Sequence, residues 1–250
     1  MKRVFILIAT LFIGVIAYSQ NNFIDFHKSY ARFNSALKNR TDSLKKQATN
    51  AGFDWPLQQI YIRSFKYDSY LEVWARNNSG QPFKLFKSYK VCALSGALGP
   101  KRMEGDYQVP EGFYMINEFN PKSSFHLSLG LNYPNAADAL LSDSLRPGGE
   151  IYIHGTCITV GCIPIMNDQI EELYVLAANA RNNGQDFIPV HIFPIKFGSN
   201  RSKEILQNQV QTNPGYADFL QPLKKAYDYF EKNKQLPLIA VGPKGEYIVL

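Results

Sequence analysis

The sequence EIYIHGTCITVGC, residues 150–162, places one histidine and two cysteines within nine positions of a 250-residue chain that has four histidines and three cysteines in all. Its first five residues alternate in polarity and predict a β-strand that ends at His154, because Gly155 follows the histidine. We expect the chain to turn back over residues 156–160. This turn would bring Cys162 beside His154.

A histidine next to a cysteine can support nucleophilic catalysis. The imidazole takes the thiol proton, the thiolate attacks a carbonyl carbon, and an acyl-thioester forms. Gly161 leaves the backbone before Cys162 open, so that a substrate can approach and amides can face the developing oxyanion. The sequence therefore presents Cys162 and His154 as a candidate catalytic pair.

Two other arrangements use the same residues. His154, Cys157 and Cys162 resemble half of a zinc site, but neither His126 nor His191 lies in a spacing typical of the missing ligands. We predict that the protein has no metal site and no cofactor. A local disulfide between Cys157 and Cys162 is the second arrangement, and the spacing alone leaves it open.

Hydrophobic periodicity divides the chain into helical and extended segments. Apolar residues recur at helical spacing in residues 22–50, from Asn167 or Asp168 to Asn183, and in residues 202–211 and 216–232. Alternating or β-rich runs predict strands at residues 59–63, 70–75, 83–94, 112–116, 124–129, 150–154 and 188–194, and a terminal hairpin over 238–250. Residues 95–111 are rich in glycine, proline and charge, and a long loop is predicted at 130–149. The fold class is therefore α+β.

The N-terminus has the pattern of a secretory signal peptide. Lys2 and Arg3 precede an apolar run that ends at Ala17, and small residues stand at positions 17 and 19. We predict a signal peptide over 1–19 and an exported protein, periplasmic or in the cell envelope, with no stable membrane span after cleavage; an uncleaved anchor is the alternative. An odd number of cysteines in an exported chain leaves at least one thiol unpaired.

The remaining chain divides into three predicted parts. These are a helical segment over 20–54, a catalytic domain over 55–197, and a helical extension with a terminal hairpin over 198–250. The formal charge of +6 falls to +4 without the predicted signal peptide (25 basic minus 21 acidic residues), and this mild positive balance suits an anionic cell-wall polymer or a membrane surface. The chain has no dense basic block, so we predict no nucleic-acid partner.

The other cysteines and histidines are interpreted as structural. Cys92 lies in an alternating run and is predicted to be a core residue, while Cys157 is predicted to be structural. His191 alternates with apolar neighbours and is also interpreted as structural. His27 is expected to face solvent from the N-terminal helix.

Taken together, the motifs resemble those of YkuD-type L,D-transpeptidases, most closely the YafK-like branch. The resemblance covers residues 58–197. It rests on HGTCITVGC (154–162), LGPKRMEGD (98–106) followed by VPEGFY (109–114), FHLS (125–128) and NYPN (132–135).

This resemblance implies a mostly antiparallel, sandwich-like β domain with flanking helices. It implies Cys162 as nucleophile, His154 as base, and Gly155 as the backbone group that orients the ring. Gly161, Thr159, His126 and Arg102 are further candidates for substrate-binding or supporting residues, and for His126 the motif FHLS favours this role. Lys101 and Arg146 share with Arg102 the capacity to meet substrate carboxylates.

The implied substrate is a peptidoglycan stem peptide, whose acyl group passes from the cysteine to an amine or to water. The segment between His154 and Cys162 is shorter than in most relatives, so hydrolysis that releases a peptidoglycan-linked partner, such as a cell-wall-linked protein, remains an alternative. A non-catalytic wall-binding or metal-binding module is the other alternative.

Overall fold

The computed structural model describes residues 22–250, so the predicted signal peptide lies outside the described residues. The described chain is an α+β fold in which most neighbouring strands are antiparallel. Six helices occur within residues 22–250: α1 (Asn22–Lys28), α2 (Ala31–Asn50), α3 (Ala136–Leu141), α4 (Asn167–Asn182), α5 (Asn200–Thr212) and α6 (Gly215–Asn233).

The same residues contain ten strands in two sheets. They are β1 (Gln59–Phe65), β2 (Tyr70–Arg76), β3 (Lys84–Lys90), β4 (Gly112–Asn120), β5 (Ser128–Leu131), β6 (Tyr152–His154), β7 (Ile163–Pro164), β8 (Pro189–Phe193), β9 (Ile239–Val241) and β10 (Tyr247–Val249). Strands β1 to β8 form one sheet in the order β3-β2-β1-β8-β4-β5-β6-β7. The β1/β8 and β6/β7 pairs are parallel. Strands β9 and β10 form the predicted terminal hairpin.

Helices cover both faces of β1 and β2, and the alternation of side chains shows how. Ile60 and Ile62 belong to the same hydrophobic cluster as residues of α2 and α4. Tyr61 points to the other face, where it packs with Trp74 of β2 and Phe230 of α6. Successive side chains of a strand point to opposite faces, so one strand can join two cores. The helices at both ends of the chain therefore complete the core.

Several predicted elements differ in extent. The loop predicted over 130–149 contains α3, which begins because the Asn135 side chain accepts hydrogen bonds from the backbone amides of Ala137 and Asp138. The strand predicted over 124–129 is shorter, since β5 begins at Ser128 and His126 has a φ of 74°. A left-handed residue cannot continue a strand.

His27 is not exposed, contrary to the sequence prediction. Its side chain is buried, and its ring packs against Phe23, Phe33 and Phe119. The Nδ1 atom lies 3.0 Å from the Phe23 carbonyl oxygen, so burial leaves this ring nitrogen with a hydrogen-bond partner. His191, which was interpreted as structural, is also buried, and its Nδ1 atom lies 2.9 Å from the Tyr61 hydroxyl.

Candidate active site

The segment that follows His154 does not form the predicted hairpin. After a loop over 155–162 the chain enters β7, which runs parallel to β6 with Ile153 opposite Ile163 and His154 opposite Pro164. Parallel neighbouring strands normally need a long connection, because the chain must return to the start of the first strand. β6 and β7 have only three and two residues, so a short loop is long enough. The prediction of an antiparallel turn was wrong for this reason.

Parallel pairing still brings His154 and Cys162 to the same face of the sheet. Ile153 and Ile163 both belong to the hydrophobic core, so the residues that alternate with them point to the opposite face. His154 and Cys162 are diagonal neighbours there. No hydrogen bond joins their side chains in the described chain, and catalytic hydrogen bonds are often long before substrate binds.

Cys162 is the free cysteine of residues 22–250, and its side chain is partly exposed. Its sulfur accepts a hydrogen bond from the Tyr152 amide at 3.4 Å and lies 3.6 Å from the Glu150 carbonyl oxygen. Burial raises the pKa of this thiol, while the Tyr152 amide and the charge of Lys101 act in the opposite direction. The thiol is therefore protonated at rest and needs a base.

His154 is held in the tautomer that a base requires. The side chain is only 2% exposed, and Nδ1 lies 2.5 Å from the Gly155 carbonyl oxygen. Because a carbonyl oxygen only accepts, Nδ1 carries the proton and Nε2 has the free lone pair. Burial lowers the pKa of His154, so the ring is neutral near pH 7. Its Nε2 makes no hydrogen bond within the described residues.

Gly155 has no room for a side chain. A Cβ atom at this position would lie 2.6 Å from the Asn167 Oδ1 atom and 2.9 Å from the Phe125 carbonyl oxygen. Asn167, the first residue of α4, also accepts a hydrogen bond from the Thr156 amide at 2.9 Å. Thr156 has a φ of 66°, a conformation that costs energy in a β-branched residue. Asn167 thus fixes the start of the loop.

Thr159 and Gly161 shape the end of the loop. The Thr159 hydroxyl donates to the Cys162 carbonyl oxygen at 2.8 Å and accepts from the Gly161 amide at 3.1 Å. Gly161 has a φ of 140°, and a Cβ atom there would lie 3.0 Å from the Gln108 carbonyl oxygen. Both residues therefore position the backbone of the nucleophile.

A disulfide joins Cys92 to Cys157, with Cα atoms 5.5 Å apart. The core assignment of Cys92 and the local Cys157–Cys162 bridge are therefore both wrong, while the structural assignment of Cys157 agrees with this bond. The bridge ties the loop to the segment after β3, where the Cys92 amide donates to the Pro164 carbonyl oxygen at 3.0 Å. The bond also removes Cys157 as a zinc ligand. Residues 22–250 contain no group of three or more metal-binding side chains.

His126 and Arg102 have partners away from the thiol. His126 Nε2 lies 2.8 Å from a carboxylate oxygen of Glu171, although its Cβ packs against Gly155. Arg102 pairs with Asp138 at 3.2 Å. Lys101 is the basic residue whose charge acts on Cys162, but its ammonium group already donates to Asp106 and to the Met103 carbonyl oxygen.

The sequence reasoning missed Tyr152 and Glu118. The Tyr152 hydroxyl donates to a Glu118 carboxylate oxygen at 2.9 Å, on the strands that lead to the thiol. Tyr152 was visible as the residue two positions before His154, on the same face of the predicted strand. Glu118 gave no comparable signal, because the predicted strand ended at residue 116.

Comparison with known proteins identifies the class of protein. Residues 66–192 match the model of the YkuD family, described as the L,D-transpeptidase catalytic domain. The chain therefore belongs to the YkuD L,D-transpeptidase family, as the sequence motifs predicted. Proteins of this family act on peptidoglycan.

The chain is also similar to individual proteins. The chain is 33% identical over 193 residues to the "Putative L,D-transpeptidase YafK" of Escherichia coli strain K12, covering 76% of this chain and 73% of that protein. The helical cell shape determining protein Pgp2 of Campylobacter jejuni (K307A mutant) aligns with a TM-score of 0.44 and 19% identity, over 72% of this chain and 68% of that one. Bd1075 of Bdellovibrio bacteriovorus aligns with a TM-score of 0.38 and 22% identity, over 70% and 63%.

Among the helices of residues 22–250, none combines the length and the apolar character that crossing a bilayer requires.

Proposed function

We propose that this protein is an exported, cysteine-dependent L,D-transpeptidase-like enzyme of cell-wall remodelling. It takes an acyl group from a peptidoglycan stem peptide as a thioester on Cys162 and passes it to an amine or to water. One observation carries the proposal. A free thiol shares a sheet face with a buried histidine whose free lone pair is on Nε2.

The proposed reaction moves one proton in each half. His154 Nε2 accepts the Cys162 proton as the sulfur attacks the carbonyl carbon, and the imidazolium then gives this proton to the departing amine. In the second half, an amine or water attacks the thioester, loses its proton to His154, and the proton returns to the departing sulfur. The neutral resting pair avoids a buried ion pair before substrate arrives.

Backbone amides near the sulfur can stabilise the oxyanion of each half-reaction. The Cys162 amide makes no hydrogen bond within residues 22–250, so it is free to donate to a carbonyl oxygen. Gly155, Gly161 and Thr159 then act by holding the ring and this amide in place.

Three features support export. The basic and apolar pattern of residues 1–19 is typical of a signal peptide, a disulfide suits an oxidising compartment, and the family acts on the cell wall. We place the catalytic domain at residues 55–197, with the helical segments 20–54 and 198–250 contributing to its core.

The alternative outcome is hydrolysis of a peptidoglycan-linked bond. Only six residues separate Gly155 from Cys162, which leaves little chain to build a binding site for a second peptide around the thioester. Water is a smaller acceptor than a stem peptide. The products of the reaction distinguish the two.

Incubation of the purified protein with muropeptides, followed by mass spectrometry, tests the proposal. We expect a thioester-linked mass on Cys162, and its absence in Cys162→Ala. A joined dimer among the products indicates transpeptidation, and a released amine partner indicates hydrolysis. The matched control is Cys92→Ser/Cys157→Ser, which keeps Cys162 and should keep the adduct. Equal adduct formation by wild type and Cys162→Ala contradicts the proposal.

A further inference from the structure

A row of side chains crosses the sheet towards the thiol. Glu118 of β4 lies opposite Gly130 of β5, and Gly130 lies opposite Tyr152 of β6. The amide of Tyr152 then donates to the sulfur of Cys162. These four residues share one face of the sheet, so the carboxylate of Glu118 and the thiol stand at the two ends of a single row.

A β-bulge turns Glu118 to this face. Ile116 lies opposite Leu131, and Glu118 lies opposite Gly130, so Asn117 is an extra residue on β4. Ile116 belongs to the hydrophobic core. Strict alternation from Ile116 would put Glu118 in that core as well, where an unpaired carboxylate is very costly. The bulge therefore places the charged side chain of Glu118 on the same face of the sheet as Tyr152 and Cys162.

Gly130 allows the side chains of Glu118 and Tyr152 to come into contact. A Cβ atom on Gly130 would lie 2.9 Å from the Glu118 Cβ and 3.1 Å from the Tyr152 Cε1 atom. Without a side chain between them, Tyr152 reaches Glu118 with a 2.9 Å hydrogen bond. The bulge, the glycine and the hydrogen bond all serve the same contact.

Glu118 and Tyr152 together offer hydrogen-bond acceptors and a negative charge. Burial, followed by the hydrogen bond to Glu118, raises the pKa of Tyr152 to about 12, so the phenol keeps its proton and donates it to one carboxylate oxygen. The Tyr152 oxygen still has lone pairs, and the second carboxylate oxygen has no partner among residues 22–250. No lysine or arginine of the described chain forms an ion pair with Glu118.

Space for a ligand lies beside the carboxylate. Glu118 and Asn117 are among the residues that line a groove of about 670 Å³, which Phe23, Arg181 and Phe187 also line and which does not reach Tyr152 or Cys162. Arg181 already pairs with Asp186 at 2.6 Å. Glu118 is therefore the uncompensated charge at this part of the groove.

We propose that Glu118 and Tyr152 form a binding subsite for a primary ammonium group of the substrate. Tyr152 links this subsite to the thiol, because its hydroxyl contacts Glu118 and its backbone amide contacts the sulfur of Cys162. This inference rests on the proposed function and names a feature of its substrate, which is a free amine carried on the residue whose carbonyl Cys162 attacks. The ammonium group donates to Glu118 and to the Tyr152 oxygen while the carbonyl carbon lies at the thiol.

Binding to the Cys162→Ala variant tests this subsite without any chemistry. The probes are a synthetic stem tetrapeptide with diaminopimelate at its third position, and the same peptide acetylated on the side-chain amine. We expect acetylation to weaken binding about tenfold or more, the range of a charge-assisted hydrogen bond. Adding Glu118→Gln should weaken binding of the free-amine peptide similarly and leave the acetylated peptide unchanged.

Glu104→Gln in the same background is the matched control. Glu104 is an exposed carboxylate of the loop before β4, and its side chain has no partner among the described residues. An equal loss in Glu104→Gln indicates a long-range charge effect and overturns the subsite. The subsite is also overturned if acetylation does not change binding, if Glu118→Gln weakens binding of both peptides, or if the free-amine peptide does not bind.

The proposed function is tested separately by thioester formation on Cys162. If a thioester forms but Glu118→Gln binds both peptides normally, the subsite fails and the catalytic proposal stands. If binding depends on the amine and on Glu118 but no thioester forms, the catalytic proposal fails and the subsite stands.

Discussion

The two ends of the eight-stranded sheet are built in different ways. Towards one end, inside the edge strand β3, β1 and β2 pair along seven residues each and are covered by helices on both faces. At the other end, β6 and β7 have three and two residues and pair at two positions. We call the first the scaffold end (β1 and β2) and the second the reactive end (β6, β7 and residues 155–162).

Each end is stabilised by different interactions. The scaffold end combines extensive apolar burial with a buried charge cluster, in which Arg63 pairs with Glu72 and lies over the ring of Trp74. The reactive end depends on individual contacts. These are a disulfide, the hydrogen bond from the Thr156 amide to the Asn167 side chain, and the hydrogen bond from the Thr159 hydroxyl to the Cys162 carbonyl oxygen. This difference shows that a few specific bonds hold the strained loop over 155–162 in place on the sheet.

Loss of the Glu72 carboxylate should have the largest effect on stability. Glu72 accepts hydrogen bonds from Arg63 at 2.5 Å and from Trp74 at 2.7 Å, and its side chain is 3% exposed. Glu72→Gln leaves the Arg63 guanidinium buried without its main partner, and we expect a loss of about 3–5 kcal/mol in the free energy of unfolding. Urea denaturation measures this change.

An exposed ion pair is the matched control. Asp25 and Lys28 lie one turn apart on the surface of α1, and Asp25→Asn should change the free energy of unfolding by less than about 0.5 kcal/mol. A similar loss in both variants would mean that burial does not distinguish the scaffold end.

Loss of the disulfide should have a smaller effect on stability and a selective effect on the site. The bond spans 65 residues, and Cys92→Ser/Cys157→Ser should lower the free energy of unfolding by about 2–4 kcal/mol. It should also slow acylation of Cys162 by a carbapenem, because the loop loses its tether, without abolishing it. Urea denaturation and adduct formation followed by mass spectrometry give the two values.

The single variants separate a tether from a local role of Cys157. Cys92 lies after β3, outside the loop that contains Cys157. Cys92→Ser and Cys157→Ser should therefore slow acylation equally if only the covalent link matters. Slower acylation only in Cys157→Ser would contradict the tether.

The sequence predicts the scaffold end well because its signals are local. The β-rich runs over 59–63 and 70–75 are enough to predict β1 and β2, and the periodicity of 216–232 predicts α6. The burial of His27 could not be predicted, because it depends on aromatic residues such as Phe119 that are distant in sequence.

The reactive end combines predictable residue types with unpredictable connections. The positions of His154 and Cys162 in the motif predict a shared site, and the structure places them on one face of the sheet. The Cys92–Cys157 bond joins residues 65 positions apart, and the bulge at Asn117 changes the alternation of β4. Neither leaves a local pattern in the sequence, so both require the folded chain.

The central claim is that His154 removes the proton of Cys162, and the pH dependence of carbapenem acylation tests it most directly. Neutral His154 is the base, and burial lowers its pKa below the ordinary 6.5. The wild-type rate should therefore hold at pH 7 and fall only as acid protonates the ring. In His154→Asn, the rate at pH 7 should be about 10²–10⁴-fold lower. It should rise only towards the pKa of the thiol, which burial raises above its ordinary value. Superimposable profiles for the two proteins would contradict the account.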